Sequence, residues 1–299
     1  MSEPTLQQLR YLVALGEHGH FGRAAAACFV SQPALSAQLR ELERRLGVTV
    51  VERQRSGLLF TPVGRDVLER ARRLLAEADD LVAAAAAGRG VVGPVRVGTI
   101  PTVGPYLLAR TVPVLHNAVP GAALELHEAT TDLLVGQLRG GTLDVLLLAT
   151  APDDPDLESV ALGADPFLLA VPARHALARG RGPVSLDDLA SLRVLVLTEG
   201  HCLRDQALAV CRGPNAEASS VAASSLATLV QMVAAGMGVT LLPASAAALE
   251  ARPGNGIAVR RFRSPAPSRT IGLTWRRSSP NRAMFAGLAT LLRPALSLS

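Results

Sequence analysis

The hydrophobic period of this chain changes once, at residues 88–90, and that change constrains the fold more than any other feature. From Leu6 to about Ala87, apolar residues recur at helical spacing, broken by one short hairpin-like stretch. Beyond Gly88-Arg89-Gly90, apolar runs at Val95 to Ile100, Leu124 to His127, Val145 to Ala149, Phe167 to Val171 and Arg193 to Leu197 read as strands separated by helix-like segments. The 299 residues are therefore expected to form two folded units, the second of them α/β, joined by a hinge-like linker.

In the first unit, Leu6, Leu9, Leu12, Val13 and Gly16 mark one helix, and Phe21 to Phe29 a compact Ala-rich second. Ser31-Gln32-Pro33 opens a third helix with proline in its first turn, and Gly47 closes it. Leu35, Leu39, Leu42 and Leu46 form its apolar stripe, while Gln32, Ser36 and Arg40 are expected on another face. Val48 to Phe60, with Arg53, Arg55 and a Ser56-Gly57 turn, reads as a small two-stranded wing. Thr61 then caps a long helix that runs from Pro62 to about Ala87. Its apolar positions Leu68, Ala71, Leu75, Ala78, Val82 and Ala85 alternate steps of three and four. That spacing suits either a helix packed on its own domain or a coiled-coil dimer seam, and the seam is the favoured reading.

Two short helices with a tight connection, the second polar at its start, meet the requirements of a helix-turn-helix. Glutamine can read base edges in the major groove, and arginine and serine can contact bases or phosphate. Ser31, Gln32, Pro33, Ser36 and Arg40 are the candidates on the third helix, with Arg53 and Arg55 on the wing placed for phosphate. Charge agrees: Phe21 to Arg73 holds ten arginines against five acids, which accounts for the whole net charge of +5 because the remainder balances. No apolar run approaches the roughly 20 residues of a membrane span, and the N-terminus lacks a signal-peptide pattern. A cytoplasmic location without membrane contact is expected.

The three cysteines, Cys28, Cys202 and Cys211, are too few for a secreted disulfide scaffold and lack the spacing of a zinc site. Neither a metal nor a cofactor is expected. In a reducing cytosol, paired cysteines are usually transient, catalytic or redox-sensing. Cys28 reads as an inert core residue. Gly200 to Cys211, GHCLRDQALAVC, reads as a helix beginning at Cys202. Its first amides, together with His201 and Arg204, are expected to stabilise a thiolate there, with Asp205 orienting Arg204. Nine residues of helix separate the two cysteine backbones by roughly 13 Å, whereas a disulfide needs Cα atoms within about 7 Å. Bonding therefore requires the helix to unwind, which would convert oxidation into a conformational signal.

The stretch FGRAAAACFVSQPALSAQLRELERRLGVTVVER closely resembles the winged helix-turn-helix of LysR-type transcriptional regulators, and the likeness continues through nearly the whole chain. GHCLRDQALAVC and IPTVGPYLL (Ile100 to Leu108) are similar to the hydrogen peroxide-sensing (OxyR) branch of that family. The resemblance implies a winged helix-turn-helix over residues 1–61 and a linker/dimerisation helix and hinge over 62–90. A redox-sensing domain over 91–299 follows, with one subdomain at about 91–165 and 269–299 and another at about 166–268. The two subdomains are expected to resemble periplasmic binding proteins.

It further implies that Cys202 reacts with hydrogen peroxide and Cys211 resolves the product to a disulfide. Thr102, Thr131, His201, Arg204, Asp205 and Arg269 then surround the peroxide. Thr102 and Thr131 could equally be helix caps and Arg269 a surface cation, and Asp132 beside Thr131 departs from the family pattern. The partners implied are double-stranded DNA, RNA polymerase, a cellular thiol reductant and further copies of the chain in a dimer of dimers. Two other functions compete: a LysR-type regulator of a small organic effector, and a thiol peroxidase. The helix-turn-helix argues against the peroxidase, since repeated turnover has no use for DNA reading. The chain is therefore not expected to be an enzyme. The cysteine pair argues against the effector, since a metabolite cleft needs only polar side chains.

Overall fold

The computed structural model describes residues 3–54, 57–87, 94–119, 122–180, 182–211 and 222–296. Arg55 and the hinge residues Gly88, Arg89 and Gly90 lie outside the described residues. The chain divides into two compact units, the first holding residues 1–91 with the short stretch Arg139–Thr142 and the second the remainder.

The first unit holds helices α1 (Leu6–His18), α2 (Phe21–Ala27) and α3 (Gln32–Leu46), the hairpin β1 (Val51–Gln54) and β2 (Gly57–Phe60), and the long helix α4 (Pro62–Ala87). Local signals set each boundary. Thr5 and Gln8 form a reciprocal capping box on α1, and Gly19 ends it at φ 61°. Ser31 caps α3, and Gly47 ends it at φ 69°. Thr61 caps α4 by accepting from the Gly64 amide at 2.9 Å. A Cβ on Gly64 would lie 2.0 Å from the Val50 carbonyl oxygen, so only glycine lets the chain before the wing approach α4 this closely.

The apolar stripe of α3 is buried as expected at Leu35, Leu39 and Leu42, with Leu46 packed beside them. Ser36 departs from expectation: it is 6% exposed and belongs to the buried side. It lies about 60° round the helix axis from Leu39, at the margin of the stripe. The α4 stripe is divided as well. Leu68 and Ala71 are buried in the unit's own core, with Leu75 packed against it, while Val82 is 68% exposed along with Leu74 and Leu81. The first half of the expected seam is thus intramolecular packing, because α1 lies along it. The side chain of Ala85 is outside the described residues.

The second unit is a seven-stranded mixed sheet with helices around it. Its first part comprises β3 (Val95–Thr99), α5 (Gly104–Ala118), β4 (Leu124–Glu128), α6 (Thr131–Arg139) and β5 (Val145–Leu148). The parallel strands β3 and β5 are central, and β5, VLLL, is buried at every position. Then come the long β6 (Leu157–Pro172), α7 (Cys202–Val210), α8 (Leu226–Ala234), β7 (Thr240–Pro243), α9 (Ala244–Glu250), β8 (Ile257–Arg261), β9 (Ser268–Arg276) and α10 (Arg282–Ala295). The segment Arg193 to Leu197, expected as a strand, makes only isolated bridges, Val194 to Val239 and Leu197 to Ala223.

Two hydrophobic cores form within this unit. Residues of β3, β5, α5 and α10 with Trp275 and Phe285 make the first. Residues of α8 and β7 with Phe167 and Phe262 make the second. Strand β6 serves both: Leu157 to Pro166 pair with β9, and Phe167 to Pro172 pair with β7 and β8. No helix among the described residues is long and apolar enough to cross a membrane, and no group of three or more metal-ligating side chains occurs among them.

Candidate functional site

In the first unit, the turn from α2 into α3 leaves Ser31, Gln32, Pro33 and Arg40 exposed on one helix. Glu41 accepts from Nε of Arg44 at 2.8 Å and of Arg45 at 2.9 Å, and the two guanidinium groups hold its carboxyl down to about 2. Arg40 therefore carries the positive charge of α3 that has no acidic partner among the described residues. The backbone of Arg53 pairs with Leu58 across the wing. Ser36 lies on the buried side of the same helix, 6% exposed.

The thiol site lies in the second unit. Gly200, at φ 87°, turns the chain so that Cys202 is the first residue of α7. Arg269 and the hydroxyls of Thr131 and Thr150 all act on its sulfur, each favouring the thiolate. Arg269 is held at the point where β9 pairs with β6, directly opposite Asp165 in the ladder. Its Nε donates to Asp165 Oδ2 at 2.9 Å, and both side chains are fully buried. Nη1 donates to Thr102 Oγ1 at 3.1 Å and Nη2 to the Thr102 carbonyl at 2.8 Å. The Ser245 amide and hydroxyl satisfy Asp165 at 2.9 Å and 2.7 Å. A buried ion pair holds only when its remaining donors and acceptors are met this way. Burial lowers the Arg269 pKa while Asp165 opposes that shift.

Of the two arginines expected near the thiol, Arg269 acts on Cys202, whereas Arg204 is turned to the backbone of its own segment. Arg204 Nη1 donates to the Leu197 carbonyl at 2.9 Å, His201 makes no side-chain cap, and Asp205 is exposed. Burial pushes the Cys202 pKa up, and Arg269, Thr131, Thr150 and the Leu203 backbone oppose it only in part. Thr102 does not cap α5, whose N-cap is Val103 without a side-chain bond. Asp132 is exposed, and no influence of it on the thiol is resolved. The structure thus gathers Cys202, Thr131, Arg269 and, through Arg269, Thr102.

Sequence reasoning missed Thr150, Gln206, Asp165, Ser245 and the Tyr106–Glu250 bond of 2.7 Å. Gln206 alone left a trace in the sequence, since it follows Cys202 by one helical turn.

Cys211 ends α7 at the other extreme. It is 6% exposed within the second core, and burial alone pushes its thiol to about 11. Cys202 packs against the first core. All three cysteines are free thiols.

A helix-turn-helix unit joined to an α/β unit that sets two cysteines in separate cores is the layout of a DNA-binding regulator with a sensing domain. Residues 6–65 match the bacterial regulatory helix-turn-helix of the lysR family, and residues 70–297 match the LysR substrate binding domain. The chain belongs to the LysR family, in its OxyR branch.

It is 44% identical over 290 residues to the DNA-binding transcriptional dual regulator OxyR of Escherichia coli, covering 96% of this chain and 94% of that one. A probable hydrogen peroxide-inducible genes activator of Streptomyces viridosporus is 42% identical, covering 98% and 95%. Full-length OxyR of Pseudomonas aeruginosa, a single-site variant, superposes with a TM-score of 0.81 at 37% identity, covering 100% and 97%. An H2O2-bound OxyR mutant of Corynebacterium glutamicum gives 0.66 at 34%, covering 98% and 93%.

Proposed function

We propose that this chain is a cytoplasmic transcription regulator that senses hydrogen peroxide by oxidation of Cys202 and disulfide formation with Cys211, so controlling oxidative-stress genes. The observation that carries the reading is the placement of Cys202 at the start of α7, facing buried Arg269 and the Thr131 hydroxyl. The Cys202 sulfur, as thiolate, attacks one peroxide oxygen. An S–O bond forms, the O–O bond breaks, and the departing hydroxide takes a proton to become water. Arg269 and the hydroxyls stabilise the negative charge as it moves from sulfur to the leaving oxygen. Cys211 then attacks the sulfenic sulfur, an S–S bond forms, and a second water leaves. Two thiols are oxidised and one peroxide is reduced to two waters. A dithiol reductant reverses the change, so the protein reacts once per switching event and is not a peroxidase.

For DNA, the reading places Gln32, Pro33 and Arg40 at the major groove, with Ser31 and Arg53 on phosphate; Arg55 joins them on sequence grounds alone. Exposed Leu74, Leu81 and Val82 on α4 support a dimer through that helix, within a dimer of dimers that recruits RNA polymerase. Residues 1–61, 62–90 and 91–299 then act as reading, linking and sensing segments. His201, Arg204 and Asp205 border the thiol along the chain, while Thr102, Thr131 and Arg269 contact the peroxide.

Intact-mass thiol counting on the purified chain, before and after stoichiometric peroxide, tests the reading. Loss of two thiols mapping to Cys202 and Cys211 is expected, and Cys202→Ser should abolish it with DNA affinity unchanged. Three thiols that stay free would overturn it in favour of a small organic effector.

A further inference from the structure

We propose that the Thr150 hydroxyl is a further donor to the reacting sulfur of Cys202 and that Gln206 positions it. The inference rests on the reading of Cys202 as the peroxide-reactive thiol, and adds a residue to that chemistry.

Gln206 stands four residues after Cys202 on α7, so both side chains lie on one helix face. Its Nε2 donates to the Ala149 carbonyl at 2.9 Å and to Thr150 Oγ1 at 2.8 Å. The amide can sit only this way round, because turning it over would set Oε1 against the Ala149 carbonyl, two acceptors face to face. Thr150 Oγ1 has accepted, so its single proton remains to donate, and the Cys202 sulfur, one helical turn before Gln206 on the same face, is the group whose thiolate this hydroxyl favours. Gln206 Oε1 is meanwhile buried with no hydrogen-bond partner.

Ala149 and Thr150 directly follow β5, whose residues are wholly buried, so the hydroxyl stands on a rigid support. Thr131 reaches the same sulfur from the start of α6. Two hydroxyls and Arg269 thus face one sulfur from three elements. Each favours the thiolate against burial. Neither hydroxyl gives up its proton in the oxidation, since the departing hydroxide takes the proton released by the thiol. The arrangement exists only while α7 is folded, because Cys202 and Gln206 belong to the helix and Thr150 does not. Thr150 therefore acts on the first step, sulfenic acid formation, and has no part in the attack by Cys211.

The test uses the full-length chain with Thr150→Val and Thr150→Ser, neither of which disturbs the core, since Thr150 is exposed. Iodoacetamide alkylation of Cys202 is followed against pH by peptide mapping, and sulfenic acid formation by dimedone capture. Thr150→Val should move the alkylation profile upward by on the order of one pH unit. Peroxide oxidation at neutral pH should slow only about threefold, because a more basic thiolate is also more nucleophilic. Thr150→Ser should match the parent, Gln206→Met should move the profile in the same direction, and disulfide closure after the sulfenic acid should keep its rate in all of them. A Thr150→Val profile that overlays the parent's overturns the proposal, and so does a serine variant that behaves like valine. Alkylation requires no peroxide: a parent thiol inert to peroxide would sink the sensing function while this assay still decided the role of Thr150.

Discussion

The two ends of α7 carry the same amino acid in opposite surroundings. At its start, Cys202 packs on the first core but meets a guanidinium and two hydroxyls. At its end, Cys211 is enclosed by the second core and burial alone acts on it. Burial raises both thiols; only the first has anything opposing it. The charge balance at each thiol is thus set by which element surrounds it, and one short helix is anchored in two cores that it must leave in part for the sulfurs to meet.

Removing the opposing charge should make the two ends alike, with the largest effect. Arg269→Met leaves Asp165 buried without a counter-ion, and we expect a loss of about 3–5 kcal/mol in urea denaturation. Adding Asp165→Leu should restore much of that stability. Cys202 in the double variant should then alkylate only at strongly alkaline pH, as is expected of Cys211. Retention of the parent profile would show that Arg269 does not distinguish the two ends.

A smaller effect comes from the other end. The folded pKa of Cys211, about 11, lies above its ordinary value of 9.0. The folded state thus holds this proton more tightly. Its contribution is fully present below pH 9 and is lost as pH rises through the folded value. Between pH 8 and pH 11 the parent should lose about 2 kcal/mol more stability than Cys211→Ala. Equal losses would mean that the second core does not penalise the thiolate. The smallest effect is expected from Asp205→Asn. Exposed Asp205 should change stability by less than about 0.5 kcal/mol and leave Cys202 alkylation where it was. A clear shift would return Asp205 to the site.

Local signals account for what the first unit shares with its sequence. The caps at Thr5, Ser31 and Thr61 and the stops at Gly19 and Gly47 act within a few residues, so the helix-turn-helix and the start of α4 are legible before folding. The start of α7 at Cys202 is legible for the same reason. Around the thiol, Thr102, Thr131 and Arg269 are legible only through the family resemblance, and Thr150, Asp165 and Ser245 not at all.

By itself the sequence determined the two-unit plan, the helical N-terminal unit, the strand and helix alternation beyond it, and the pair of cysteines at the two ends of one helix. These follow from periodicity and from residues close together in the chain. Tertiary structure alone decided that Leu68 and Ala71 face their own core, that Ser36 is buried, and that Asp165 pins the Arg269 that acts on Cys202. Arg204 is two residues from the thiol and Arg269 sixty-seven, yet chain distance does not measure electrostatic distance. Strand pairing brings Asp165 and Arg269 into register, and the sheet then presents that charge to the start of a helix from another part of the chain.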